Sequence, residues 1–182
     1  MAQRYAIWLP IILAATVCTT GCSGDVVYID PVVDQAAATV QYEPQGEPKL
    51  ELGFYEEQLF DRLEAGDRVA MPEQAQGGVW VMVAIRAKGL ELSLNTECTI
   101  ALPSDVVVGS AKDRMQYSVA SDGWIEVQFF PIPIRESYND PAEPDVHTIA
   151  DLYGRKADLT CSVAQGDGMG AATTVRVTLA RP

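Results

Sequence analysis

The stretch Leu90–Leu102 alternates between apolar and polar side chains along its whole length. One face reads Leu90, Leu92, Leu94, Thr96, Cys98, Ile100 and Leu102, and the other reads Glu91, Ser93, Asn95, Glu97, Thr99 and Ala101. A period of two puts successive side chains on opposite faces of a β-strand. The pattern therefore predicts one long strand, or two strands joined by a β-bulge, with Cys98 facing a core.

Similar short runs, bounded by Gly, Pro, Asp and Asn, continue through residues 49–182 and are typical of all-β proteins. The run Val79–Ala87 is apolar on both faces, which predicts a central strand. Ser121-Asp122-Gly123 predicts a hairpin turn, and the glycine-rich residues 165–170 predict another. The latter loop precedes a strand, so it does not match a phosphate-binding loop, which needs a following helix.

The residues from Glu56 to Met71 allow two interpretations. Leu63 and Val69 fall on one face of a hairpin that turns at Glu64–Asp67. A short helix over residues 56–63 is the alternative, because Leu59 and Leu63 are four residues apart.

About seven to nine strands, without a long amphipathic helix, predict an all-β fold: an antiparallel β-sandwich. Cys98 and Cys161 both lie on inward faces of alternating runs, so we expect one inter-sheet disulfide between them. This arrangement is immunoglobulin-like in architecture only, because Trp80, Trp124 and Tyr153 do not stand where immunoglobulin domains have their core tryptophan and tyrosine corner.

The N-terminus has the features of a secretion signal. Arg4 precedes an apolar run from Ala6 to Val17, which is too short for a membrane-spanning helix. Thr19-Thr20-Gly21-Cys22 resembles the bacterial lipobox, in which small residues precede a cysteine that is acylated and becomes the mature N-terminus. We therefore predict a lipoprotein signal peptide at residues 1–21 and lipidation of Cys22. The alternative is ordinary cleavage nearby and a free secreted protein.

The predicted domain organisation follows from the signal. Residues 22–48 contain three prolines and little periodic order, which predicts a lipidated N-terminus and tether, although Val26–Ile29 is an alternative short edge strand. Residues 49–182 form the predicted β-sandwich domain. Ser23 after Cys22 favours, by analogy with bacterial sorting rules, an outer-membrane location in the bacterial cell envelope.

The cysteines and the charge restrict the class of protein further. Cys18 leaves with the signal peptide and Cys22 carries lipid, so Cys98 and Cys161 remain as one pair in an oxidising compartment. Their wide spacing is unlike that of a metal site. The formal net charge of −12 argues against nucleic acid as a partner.

The segment Glu51–Gly89 carries a resemblance to a known group. It resembles a segment of uncharacterised bacterial envelope lipoproteins that have a G-D-x-V hairpin followed by Q-G-G and an apolar strand. The matching residues are Leu63, Gly66, Asp67, Val69, Gln76, Gly77 and Gly78. The resemblance implies an extracytoplasmic β-domain and no particular activity.

Residues with catalytic potential are few. His147 is the one histidine, and no nucleophile-elbow motif accompanies it, so we predict neither an enzyme nor a cofactor. The acidic loop 136–151 offers Asp140, Glu143 and Asp145 as candidate Ca²⁺ ligands. The competing interpretation is a solvated excursion, stiffened by two prolines, that leaves the sheet.

These observations predict a membrane-anchored extracytoplasmic lipoprotein that acts as a non-catalytic binding or structural module. Its expected partners are the membrane, through the N-terminal lipid, and an envelope protein or glycan. The apolar stretch Trp124–Ile134 is one candidate for a partner surface. Two alternatives are a Ca²⁺-dependent binding or adhesion module using loop 136–151, and a hydrolase using a carboxylate pair.

Overall fold

The computed structural model describes residues 42–75, 77–120 and 122–182. Within these residues the chain forms twelve strands and one 3₁₀ turn. In order they are β1 Lys49–Glu56, β2 Leu59–Arg62, β3 Arg68–Ala70, β4 Trp80–Lys88, β5 Ser93–Ala101, β6 Val107–Gln116, β7 Ser118–Val119, β8 Ile125–Pro133, β9 Ser137–Asp140, β10 Glu143–Thr148, the 3₁₀ turn Ile149–Leu152, β11 Lys156–Ala164 and β12 Gly170–Ala180. Twelve strands exceed the predicted seven to nine, because strands of two to four residues are too short to show a period.

The strands form two five-stranded sheets that share one core. The first sheet has the order β2-β1-β4-β8-β7 and the second has the order β3-β12-β11-β5-β6, while β9 and β10 form a separate hairpin. Strand β1 of the first sheet lies against β11 and β12 of the second. The predicted all-β sandwich is therefore confirmed. Its pairing is antiparallel except between β3 and β12, which run parallel.

The long alternating strands are found where the sequence predicts them. Strand β4 is the middle strand of the first sheet, and Val81, Ile85 and Ala87 on it are fully buried. In β5, Leu94 and Cys98 are also fully buried. Alternation therefore identified the core-facing side chains of β5, and the continuous apolar run identified β4 as a central strand.

The predicted hairpin around Glu64–Asp67 is wrong, and so is the alternative helix over residues 56–63. β1 and β2 form the hairpin, and the turn at Glu64–Asp67 carries the chain to the other sheet. Leu63 N–H donates to Leu52 O in the first sheet at 2.8 Å, whereas Asp67 O accepts from Thr178 N–H in the second at 2.8 Å. Alternation did not distinguish these arrangements because both sheets face the same core.

The Cys98–Cys161 bond is confirmed, but its predicted placement between the two sheets is wrong. The two cysteines are directly opposite one another on the adjacent strands β5 and β11 of the second sheet. Their Cα atoms are 4.1 Å apart, close to the separation of a non-hydrogen-bonded antiparallel pair. The alternating pattern shows that each cysteine faces the core. It does not show whether the strand that carries the other cysteine belongs to the same sheet or to the opposite one.

The acidic segment does not run free through solvent, contrary to the expectation of an excursion. It folds into the β9–β10 hairpin and continues into the 3₁₀ turn. Tyr138 and Asp140 of β9 are buried, so this hairpin contributes to the folded body.

The start of the described chain already contacts the sandwich. Tyr42, within the predicted tether, packs against the core, and this burial raises the pKa of its hydroxyl. Among the described residues, no helix has the length and apolarity needed to cross a membrane. The predicted signal peptide, Cys22 and the alternative edge strand Val26–Ile29 lie outside the described residues.

Candidate functional site

A groove of about 650 Å³ lies on the solvent-facing side of the first sheet. We call it the outer-face groove; its walls include Tyr55, Gln58, Phe60, Arg86, Asp122 and Glu126. These residues come from β1, the β1–β2 turn, β2, β4, the β7–β8 turn and β8. Strand alternation puts Tyr55 and Arg86 on the outward side, since the residue before each of them, Phe54 or Ile85, packs in the core.

An ion-pair network centred on Arg86 occupies the groove. Arg86 Nη2 donates to both carboxylate oxygens of Asp122, at 2.6 and 2.7 Å. Arg86 Nε lies 3.5 Å from Glu126 Oε2, and the Tyr55 hydroxyl donates to the same oxygen. The side chains of Arg86 and Glu126 are only 13% and 12% exposed. Their partners therefore hold these charged groups in one arrangement.

Aromatic rings enclose the guanidinium of Arg86. It lies 4.9 Å from the centroid of the Phe60 ring and 5.6 Å from that of Trp124. Phe60 also meets Tyr55 edge-on, with the ring centroids 5.8 Å apart. Gly53 lies beneath Phe60, and a Cβ at that position would be 2.7 Å from the ring. The absence of a side chain at Gly53 therefore leaves room for the Phe60 ring.

Two pKa shifts describe the electrostatics of the groove. Burial raises the pKa of Tyr55 to about 12, and the hydrogen bond to Glu126 adds to the rise. For Asp122, burial raises the pKa, but the hydrogen bonds from Arg86 and from Trp124 N–H outweigh it, so the net shift is downward. Tyr55 thus stays protonated and Asp122 stays ionised near neutral pH, which suits hydrogen bonding rather than proton transfer.

The rim of the groove has an unusual backbone. Glu57 and Gln58, the two turn residues between β1 and β2, have φ angles of +46° and +74°. Two-residue hairpin turns with positive φ at both positions favour Asn-Gly, since other side chains are strained there. Gln58 lines the groove despite this cost.

Two of the three predicted Ca²⁺ ligands contact an arginine. Arg155 Nη2 contacts both carboxylate oxygens of Glu143, at 2.8 and 2.6 Å, and Arg155 Nη1 lies 3.6 Å from Asp140 Oδ2. Asp140 also accepts hydrogen bonds from Ala142 N–H and Ser104 Oγ, and these bonds lower its pKa. Asp145 is exposed and does not join them. The structure thus brings Asp140 and Glu143 together around a protein cation.

His147 belongs to the same hairpin. Its ring stacks on Tyr138 with centroids 5.2 Å apart, and its Nε2 lies 3.4 Å from Glu143 Oε2. Residues 42–75, 77–120 and 122–182 contain no group of three His, Cys, Asp or Glu side chains that could hold a metal ion. His147 is therefore a packed strand residue rather than the loop residue that the sequence suggested.

The outer-face groove was not anticipated from the sequence. Its residues are distributed along the chain, with Tyr55 and Glu126 71 positions apart. One signal was present: Arg86 is the lone charge in the apolar run Val79–Ala87. A charged residue in a central strand needs a partner, so it indicated a polar site on one face of the sheet.

Comparison with known protein families and curated proteins does not identify a function for the groove. No protein-family model matches the chain, and no curated protein is significantly similar to it. The resemblance to envelope lipoproteins over Glu51–Gly89 therefore stays a prediction.

Proposed function

We propose that the protein is a membrane-anchored extracytoplasmic lipoprotein of the bacterial cell envelope and acts there as a non-catalytic binding module. The observation that carries the proposal is the Cys98–Cys161 disulfide, whose cysteines are both fully buried. Structural disulfides form and persist in oxidising compartments outside the cytosol. A core built around such a bond supports export.

The sequence before the described residues supports the anchor. The short apolar run Ala6–Val17 and the junction Thr20-Gly21-Cys22 fit a lipoprotein signal, and Ser23 supports an outer-membrane destination. Two or more acyl chains on one cysteine hold a protein stably on a membrane, because each buried methylene contributes about 0.8 kcal/mol.

The outer-face groove supports binding rather than hydrolysis. A carboxylate-based hydrolase needs one carboxyl group with a raised pKa to act as an acid. Asp122 has a lowered pKa instead, and both groove carboxylates contact Arg86. The Ca²⁺-dependent alternative is disfavoured because Asp140 and Glu143 already pair with Arg155, with which a Ca²⁺ ion would have to compete.

Intact-mass analysis of the protein extracted from membranes tests the anchor. We expect a mature chain that begins at Cys22 and carries acyl groups. The Cys22→Ala variant should lack the acyl mass and retain residues 1–21, since lipidation needs the thiol. The matched control is Cys18→Ala, which should be processed and acylated like the wild type. A wild-type chain that starts elsewhere and carries no lipid would contradict the proposal.

A further inference from the structure

We propose that the outer-face groove binds a neutral saccharide unit. This inference rests on the proposed function as a binding module and assigns that module a site and a ligand class. It follows from the charge balance of the groove, its unused hydrogen-bonding capacity, its apolar surfaces and the strained residue on its rim.

The ion pairs of the groove disfavour ionic ligands. Arg86 is already paired with Asp122 and Glu126, so an anion would meet two carboxylates. One arginine against two carboxylates leaves a net charge of −1, but a cation would compete for these carboxylates with Arg86, whose guanidinium also contacts Phe60 and Trp124. A ligand without net charge avoids both costs.

The carboxylates of the groove have more hydrogen-bond acceptor positions than their partners within the protein occupy. Two carboxylates offer about eight acceptor positions. Asp122 accepts hydrogen bonds from Arg86 Nη2 on both carboxylate oxygens and from Trp124 N–H on one of them. Glu126 accepts hydrogen bonds from the Tyr55 hydroxyl and from Gln128 Nε2. The remaining acceptors, together with the amide group of Gln58, match the hydroxyl groups of a sugar, which donate and accept.

The groove also offers apolar surface beside these polar groups. Leu59 lines it and is 75% exposed, and the half-buried rings of Phe60 and Tyr55 form part of the same wall. A sugar ring has C–H groups on its faces and hydroxyls at its edges. The apolar wall can therefore contact a face of the ring while the polar groups hydrogen-bond to its hydroxyls. The volume of about 650 Å³ lies in the range of small-ligand sites and accommodates one or two sugar units.

The two residues with positive φ in the β1–β2 turn allow effects on binding and on stability to be measured separately. Gln58 adopts φ = +74° and lines the groove, whereas its neighbour Glu57, at φ = +46°, does not line it. Glycine at either position relieves the positive φ. Substituting the two residues in turn therefore gives two variants with the same effect on the turn and different effects on the groove.

The test uses the full chain in detergent, titrated calorimetrically with the neutral disaccharides maltose, cellobiose and N,N′-diacetylchitobiose up to about 10 mM. Sialyllactose and spermidine serve as an anionic and a cationic probe. We expect at least one neutral disaccharide to bind more tightly than either ion. Gln58→Gly should weaken that binding about fivefold by removing an amide hydrogen bond, while raising the melting temperature. Glu57→Gly should also raise the melting temperature and leave the affinity unchanged.

Three results would overturn the proposal: no binding of any neutral disaccharide, stronger binding of sialyllactose or spermidine, or equal affinities for the wild type and Gln58→Gly. A rise in melting temperature in both variants shows that they are folded, so loss of binding is not caused by unfolding. None of these results depends on lipidation, which intact mass tests separately.

Discussion

Thr96 illustrates how a single polar side chain is accommodated in the core of the sandwich. It is fully buried on the inward face of β5, and its hydroxyl lies 2.9 Å from that of Tyr117. Burial raises the pKa of Tyr117 to about 12, although the bond to Thr96 acts in the opposite direction. Each hydroxyl is therefore the other's hydrogen-bonding partner in a region that excludes water.

This pair predicts a non-additive set of stabilities. Thr96→Val should lower the free energy of unfolding by about 1–3 kcal/mol, because it leaves the Tyr117 hydroxyl buried without its partner. Tyr117→Phe should have a similar effect through the Thr96 hydroxyl. The double variant should be closer to the wild type than the two single losses added together, as urea unfolding would show. Simple additivity would mean that the two hydroxyls do not depend on each other.

The sequence predicted the position of Thr96 but not its partner. Alternation over Leu90–Leu102 put Thr96 on the inward face, and it is buried. Tyr117 lies 21 positions away, just after β6, and no periodic pattern links it to β5. Periodicity reports which side of a strand a residue occupies, whereas the partner depends on sheet topology.

Among the strands, β12 has the least protected edge. It pairs with β11 at residues 170–178, but with β3 only at residues 178–180. Within the described residues, the outer edge of residues 170–175 has no strand partner, and this stretch, GAATTV, contains neither charge nor proline. The edge strand β6 of the same sheet instead carries Lys112, Asp113 and Arg114. Charges and prolines are the usual protection of an edge against further pairing.

Hydrogen bonding along β12 alternates in direction. Arg176 O accepts from Gly66 N–H and Thr178 N–H donates to Asp67 O, both on the outer side. Even-numbered residues therefore direct their backbone groups outward, while Thr173 directs its groups to Cys161 on β11.

Proline substitutions test this alternation. Thr174→Pro removes an outward N–H and the exposed hydrogen bond between the Thr174 and Thr160 hydroxyls, and it should change the free energy of unfolding by less than about 1 kcal/mol. Thr173→Pro removes a bond to β11 and should be at least about 2 kcal/mol more destabilising. Thermal unfolding of the two variants checks the difference. Equal losses would show that the register of β12 differs from the one described.

The same limit explains which parts of the fold and the site were predictable. The strands β4 and β5 and the turn between β7 and β8 were predicted because their signals are local. The crossing between sheets at Glu64–Asp67 was not, because both destinations bury Leu63 and Val69. The outer-face groove was missed for a related reason: its residues meet only after β1, β4 and β8 are placed side by side.

At the scale of the whole molecule, the disulfide connects two strands of the second sheet that are distant along the chain. Cys98 on β5 and Cys161 on β11 are 63 positions apart, and the segment between them contains β6 to β10. That segment includes β7 and β8 of the first sheet, so the closed loop extends over both layers of the sandwich. The bond therefore restricts the unfolded chain strongly.

Removal of this cross-link should lower the free energy of unfolding of the Cys98→Ala/Cys161→Ala variant by about 4 kcal/mol, the chain-entropy expectation for a loop of this length. The stability of a domain of this size is about 5–15 kcal/mol, so the variant should fold but tolerate less urea. Wild-type protein unfolded with a reductant present is the matched control, since it lacks the bond but keeps both side chains. If the control matches the variant, the loss belongs to the cross-link. If the control equals the oxidised wild type while the variant is destabilised, the cause is the cavity left by the two sulfur atoms, and the chain-entropy account of this core is wrong.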